Sequence, residues 1–344
     1  MKNVPWKEIF IVNLDSDKQR LENVSKQFNK IGMTLRKVSN TRERDWSEAR
    51  ATHKCRYYCD KGVIGSYYGH YKLWKKMVDE NIESALIVED DITLDEDFEN
   101  KFDIYWRHVP EDWDMVLLGC IFQCKREKNF IDRCLKISYF ENNNHPINDY
   151  INKITSFSGI HAYILNINMA KRLLAASEEI DNIIEVQLSR YLNKNRDLNV
   201  YAFEDYIITQ NLILYESVNN ISRIPNIINK PLDKIIIQDT NHYKVSLAYV
   251  INQGIYQYKI FGYILNVMII ILFLFGFALG LLLDWRYAVT ISILFVIVDI
   301  IYTGLVLKTK VNLQMYVKFW LLLFISVLLG YGSRVLIGRY VSRK

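Results

Sequence analysis

From Ile260 onward the chain nearly stops using charge, and this constrains it more than any other feature. Ile260 to Leu283 carries no charged residue. As a helix rising about 1.5 Å per residue, this run covers roughly 36 Å, enough to cross a bilayer core with some tilt. Asp284-Trp285-Arg286 interrupts it. Tyr287 to Leu307 follows with one acid, Asp299, and a third run spans Tyr316 to Ile337. Lys318 and Arg334 flank the uncharged centre Phe319–Ser333, where long side chains snorkel to the interface. Trp285, Tyr287, Tyr316 and Trp320 sit near run ends, as aromatic belts do. Three transmembrane helices are therefore expected, at 260–283, 287–307 and 316–337 within a block 260–338. Gly276 and Gly280 are spaced for close helix contact. Asp299 is expected to face the bundle in a structural role.

Before this block the composition is that of a soluble domain. The chain of 344 residues is 24% charged, with a formal net charge of +5. Its most basic stretch, Lys125-Arg126-Glu127-Lys128, is short and mixed, so nucleic-acid binding is not expected. Basic residues flank both ends of the apolar block, so charge does not decide its sidedness. Met1 to Lys7 has no apolar signal core. The reading is a multi-pass membrane protein whose soluble domain is cytosolic. Cys55/Cys59 and Cys120/Cys124 each have C-x3-C spacing. Four such thiolates suit zinc, whereas small buried thiols are the commoner case. With Cys134 the count is odd, which does not suggest a disulfide framework.

Residues 8–14 are mostly apolar, like a central strand. Leu21, Val24, Phe28 and Ile31 then recur at helical spacing, and Gly32 ends the helix. Tyr67, His70, Tyr71 and Trp74 mark another helix over Ser66–Glu80. Strands are expected at Ser84–Val88, Asp114–Gly119 and 160–165, and a helix at Asn168–Ser177. Strands alternating with helices indicate an open, mainly parallel sheet, where ligands collect at the carboxyl ends of strands. Residues 1–240 are assigned to this domain. Residues 241–259 are assigned to a linker, with an amphipathic helix around Ser246–Tyr258 lying at the interface.

Glu89-Asp90-Asp91 falls at one such strand end. Adjacent carboxylates repel and raise each other's pKa, and a divalent cation relieves this. In extended chain Glu89 and Asp91 project to one side and Asp90 to the other. Glu89 and Asp91 are thus the metal candidates; the alternative is a solvated acidic turn.

Several segments, in order, resemble glycosyltransferase family 25, which includes lipopolysaccharide and procollagen galactosyltransferases. They are Ile9-Phe10-Ile11-Val12-Asn13-Leu14-Asp15 with Arg20; Gly62 to Trp74; Ala85 to Asp91; Trp113-Asp114 with Leu117-Leu118-Gly119; and Ser158 to Leu165 with Ala170-Lys171. The resemblance covers roughly residues 8–215. It departs from the family at Val63, usually Glu, at Ser66, often Cys, and at Gly69, commonly Ser. The triple-span tail is not usual for the family.

The resemblance implies an α/β, GT-A-like (Rossmann-like) domain ahead of an α-helical membrane bundle. It implies a nucleotide-sugar donor, usually UDP-hexose, with Mn2+ or Mg2+, and an inverting transfer of galactose or glucose to a hydroxyl on a glycan, lipid-linked or protein acceptor. Glu89 and Asp91 would hold the metal and Asp90 would touch the donor. Asn13, Asp15 and Arg20 follow the first strand, where the nucleotide would sit, although Arg20 equally suits a surface ion pair. His70 is either packed or at the donor site, and His161 is read as structural. Glu185 is the candidate base, with Asp181 competing. Gln210 echoes a family glutamine and receives no role. Two other readings are weighed: a catalytically degenerate sugar-binding or scaffolding protein, motivated by Val63, and a channel or transporter subunit.

Overall fold

The computed structural model describes residues 4–38, 49–52, 55, 61–121, 124–125, 144–211, 231, 234–238, 244–246, 257–260, 263–307 and 313–341. They fall into two compact units, one holding the described residues up to Asn211 and the other those from Pro231 on.

The first unit opens with β1 (Glu8–Val12), α1 (Lys18–Lys30) and β2 (Arg36–Val38). Gly32 follows α1 at φ +70°, a left-handed conformation that favours glycine and stops the helix. Next come α2 (Lys61–Asp79), β3 (Ser84–Glu89), β4 (Ile92–Leu94), α3 (Phe98–Trp106) and β5 (Met115–Gly119). The unit ends with β6 (His145–Pro146), β7 (Ile151–Lys153), β8 (Ala162–Asn166), α4 (Ile167–Ala176), α5 (Ile184–Lys194), β9 (Val200–Phe203) and β10 (Ile208–Gln210). Asn166 caps α4 by accepting from the Met169 amide at 2.7 Å.

Eight strands form one sheet in the order β2-β1-β3-β8-β5-β9-β7-β6. Only β8 and β7 run against the rest, so the sheet is mostly parallel in direction. The reversed β8 lies between β3 and β5, and so interrupts the run of parallel pairs. Alternate residues of each strand feed opposite faces. Phe10, Ile87 and Tyr163 pack with Trp74 and Leu173, whereas Ile11, Val88 and Ile164 pack with Phe28 and Phe102. Both faces are thus covered by helices, which is why the central strands are apolar throughout.

The second unit contains β11 (Ile236–Gln238) paired with β12 (Lys244–Ser246), then β13 (Gln257–Ile260) paired with β14 (Tyr263–Asn266). Three apolar helices follow: α6 (Val267–Leu282), α7 (Trp285–Leu307) and α8 (Leu313–Val341). Two expectations change here. Ser246 and Gln257–Tyr258, the ends of the expected amphipathic helix, are strand, and residues 247–256 lie outside the described residues. The first membrane run was also expected to be helical from residue 260. Ile260 and Tyr263–Asn266 belong instead to an antiparallel hairpin rich in Tyr and Ile, residues that favour strands.

Among the described residues one helical stretch, Met315–Val341, is long and apolar enough to cross a membrane, while Ile270–Leu282 is shorter. α6 and α8 pack closely because glycines line the seam. A Cβ on Gly276 would overlap Ser326 Oγ, one on Gly280 the Val327 carbonyl oxygen, and one on Gly330 the Phe277 carbonyl oxygen.

The thiols also differ from expectation. Cys120 and Cys124 form a disulfide, and Cys55 is disulfide-bonded as well. An oxidised sulfur does not bind zinc as a thiolate, so the four-thiolate zinc reading does not hold. Cys59 and Cys134 lie outside the described residues.

Candidate active site

The carboxyl end of β3 carries Glu89, and the chain then turns through Asp90 and Asp91 into β4. Three neighbours fix this turn. β1 lies parallel to β3 with Val12 opposite Glu89, which sets Asn13 beside Asp90. Asn13 Nδ2 donates to Asp90 Oδ2 at 2.8 Å and to the Asp17 carbonyl at 3.0 Å. From α1, Arg20 reaches Asp90 Oδ1 at 3.3 Å, with both side chains largely buried. Both oxygens of Asp90 are therefore engaged, while Asn13 Oδ1 is buried without a partner.

On the other side β4 pairs antiparallel with β10, placing Gln210 opposite Ile92. Gln210 Nε2 lies 2.9 Å from Asp91 Oδ2 and 3.3 Å from Glu89 Oε2. One amide thus bridges the two carboxylates that the alternation of extended chain sends to one side. Asp91 Oδ1 is buried with no hydrogen-bond partner. Gln210 had no assigned role in the sequence, because nothing local connects it to acids more than 100 residues away.

Beneath Glu89 lies His70 of α2, fully buried. Its Nε2 is 3.2 Å from Glu89 Oε1, and its Nδ1 is 3.0 Å from the Tyr163 hydroxyl. Burial pushes the imidazole down to about 4, although the Glu185 charge opposes the shift. His70 therefore meets the site through Glu89. His161 is also buried, and its Nε2 donates to the Ile208 carbonyl at 3.1 Å, which holds the strand that carries Gln210. Gly119 is needed at the same crossing, since a Cβ there would overlap the Ile208 carbonyl oxygen.

Glu185 sits in the first turn of α5 and accepts a backbone hydrogen bond from Gly159. Burial raises its pKa. Its charge in turn acts on Glu89, so the two carboxylates are neighbours in space. Its competitor Asp181 is ion-paired with Arg190. Asp15 pairs with Lys37 at 2.8 Å.

Electrostatically the cluster is unbalanced. Glu89 is pushed up to about 8 by burial first, then by Glu185 and Asp90, against the pull of Arg20. Asp91 is raised well above the carboxylate range by burial and by Glu89 and Asp90, with the Gln210 bond opposing. Asp90 is raised by burial despite Asn13 and Arg20. Buried acids held above their ordinary pKa mark a place where charge is expected to arrive from outside. Glu89 and Asp91 offer hard oxygens on one side of the chain, and the unpartnered Asp91 Oδ1 is free to ligate. These residues fit Mg2+ or Mn2+, which binds through one or two carboxylates and completes its shell with phosphate oxygens. Among the described residues, no group of three or more His, Cys, Asp or Glu side chains is placed to hold a metal ion, so a cation here would rest on this pair.

Residues 6–189 match the family profile described as glycosyltransferase family 25 (LPS biosynthesis protein). This chain belongs to glycosyltransferase family 25. Within the family it is 29% identical over 62 residues to human (Homo sapiens) procollagen galactosyltransferase 2, covering 17% of this chain and 10% of that protein. Procollagen galactosyltransferase 1 of Danio rerio is 31% identical over 62 residues, with the same shares covered. Human inactive glycosyltransferase 25 family member 3 is 27% identical over 62 residues, again 17% of this chain and 10% of that protein. The match thus spans about a tenth of the length of these relatives. Among solved structures, the mannose-1-phosphate geranyltransferase of Thermus thermophilus overlaps 67% of each chain at 10% identity and a TM-score of 0.27. A score that low says nothing about fold or chemistry.

Proposed function

We propose that this chain is a membrane-anchored, metal-dependent glycosyltransferase with a GT-A-like catalytic domain. It transfers a hexose, galactose or glucose, from a nucleotide sugar such as UDP-hexose to a hydroxyl on a glycan, lipid-linked or protein acceptor, with inversion. The observation that carries this reading is the pair Glu89 and Asp91, bridged by Gln210 and buried, with burial and mutual repulsion holding both carboxyls above their ordinary range.

Glu89 and Asp91 are the residues that would hold Mn2+ or Mg2+. When bound, the cation would neutralise the charge that develops on the diphosphate as the sugar–phosphate bond breaks. Asp90, locked by Asn13 and Arg20, keeps the turn in register and faces the donor, with the free Asn13 Oδ1 as a second polar contact. Asp15 lies after β1 on the nucleotide side of this group. Glu185 takes the proton of the acceptor hydroxyl as its oxygen attacks the anomeric carbon, and the leaving diphosphate keeps the bond's electron pair. A raised pKa suits that base, because proton transfer is most efficient near the working pH. His70 contributes through Glu89 rather than by touching the sugar.

For the membrane we assign α8 as a span, with α6 and α7 beside it in the bilayer. Leu274, Leu294, Val298, Leu329 and Leu336 are among the large apolar side chains exposed on these helices, as lipid-facing residues are. The disulfides favour a catalytic domain in an oxidising compartment over the cytosolic placement expected from sequence.

The deciding experiment is donor hydrolysis by purified protein with a panel of UDP-sugars, with and without Mn2+. Mn2+-dependent release of UDP, abolished by Asp91→Ala in a folded protein, supports the proposal. No turnover or binding of any nucleotide sugar refutes it.

A further inference from the structure

Behind Glu89 runs a buried chain of three side chains: Trp74, Tyr163 and His70, each at 0% exposure. Its direction follows from chemistry. An indole N–H can only donate. Trp74 Nε1 lies 2.9 Å from the Tyr163 hydroxyl, so the phenol oxygen accepts there. The phenol proton is then left for His70 Nδ1, 3.0 Å away. A buried hydroxyl proton without an acceptor is costly, so the phenol donates. Nδ1 is thereby the unprotonated nitrogen, and the ring proton resides on Nε2, 3.2 Å from Glu89 Oε1. In the reverse direction Tyr163 would accept from both Trp74 and His70, and its own proton would have no partner. Trp74, as a donor only, breaks the symmetry.

We propose that Trp74 and Tyr163 are positioning residues that lock His70 in the Nε2–H tautomer, so that it donates to Glu89 Oε1 and aims Oε2 toward Asp91. The proposal rests on the assignment of Glu89 and Asp91 to a divalent cation. It adds a layer behind them, of the kind whose loss weakens metal affinity about 10- to 100-fold. His161 shows the same tautomer for a different reason, its Nε2 facing a carbonyl, which can only accept.

Two measurements test this without relying on transfer. The first is nitrogen NMR of the 15N-histidine-labelled, metal-free protein, with the His70 signals assigned by their loss in His70→Gln. A protonated Nε2 and a lone-pair Nδ1 are expected; a protonated Nδ1 overturns the proposal. The second is Mn2+ binding, read as free Mn2+ by electron paramagnetic resonance. Tyr163→Phe keeps the ring and removes the hydroxyl, and should weaken Mn2+ about 10-fold or more. Unchanged affinity in folded Tyr163→Phe overturns the proposal. If that variant fails to fold, Trp74→Phe decides: it should give a mixture of His70 tautomers, and a single unchanged tautomer refutes the directing role. Wild-type protein that binds no Mn2+ while showing the expected tautomer would refute the cation assignment and leave the direction of the chain established.

Discussion

Replacing Glu89 by Gln in metal-free protein isolates the electrostatic cost of the site. The folded-state pKa of Glu89 is raised from 4.5 to about 8. Between those values the folded protein holds a proton that the unfolded chain has released. Stability therefore falls as pH rises through that window and levels off above the folded pKa. For one group with this shift the loss is roughly 1 kcal/mol at pH 5, 3 at pH 7 and 4 at pH 8. Glu89→Gln removes the titration and keeps an oxygen for His70. The new amide also meets the Gln210 amide, but that effect does not depend on pH. The informative quantity is thus the slope of the stability difference, not its offset. Urea unfolding of the full chain in mild detergent with EDTA, at unit steps from pH 5 to pH 9, measures it. The variant should gain on wild type by about 3 kcal/mol between pH 5 and pH 8. Loss of Glu89 also relieves Asp91, which acts in the same direction. A difference that stays flat across this range would show that Glu89 ionises normally, and the argument that the cluster awaits a cation would fall with it.

Glu185→Gln should lower turnover by roughly 100- to 10,000-fold while leaving the donor KM unchanged, as steady-state kinetics with UDP-sugar would show. Gly280→Leu drives a side chain into the Val327 carbonyl and should lower the melting temperature in detergent, whereas Gly332→Leu, with open space around it, should not. Cys120 and Cys124 should resist maleimide in intact cells until dithiothreitol is added; labelling without reductant would place the domain on a reducing side.

Much of the catalytic unit is legible in the sequence, because its central strands are apolar runs and its helices carry clear periodicity. Val24 and Phe28 announce the buried face of α1, and the acids of β3 stand where its apolar run stops. The reversal of β8 is not legible. Ala162–Asn166 is buried on both faces, and such a strand has the same pattern in either direction. The β13–β14 hairpin was absorbed into the first membrane run for a related reason: a short apolar stretch does not declare strand or helix by periodicity. The Gln210 bridge is a long-range fact, fixed by the fold and by no local rule, whereas the Cys120–Cys124 disulfide joins residues only four apart, a spacing that thiols and disulfides share.

Val63 motivates the degenerate reading, since the resemblance implies a Glu at that position. The side chain of Val63 is buried in the core, on the face of α2 that also carries Tyr67, His70 and Trp74. It lies two helical turns before His70, roughly 10 Å along the axis. The carboxylates that carry the proposed chemistry come from other elements: Glu89 and Asp91 from the end of β3, and Glu185 from α5. Each is present, and burial keeps each costly to ionise. A site that had lost its function would gain stability by replacing buried, mutually repelling acids, because such acids lower folding stability without return. Their joint presence, with Gln210 set between two of them, is what the proposed transferase requires and what a degenerate scaffold would not.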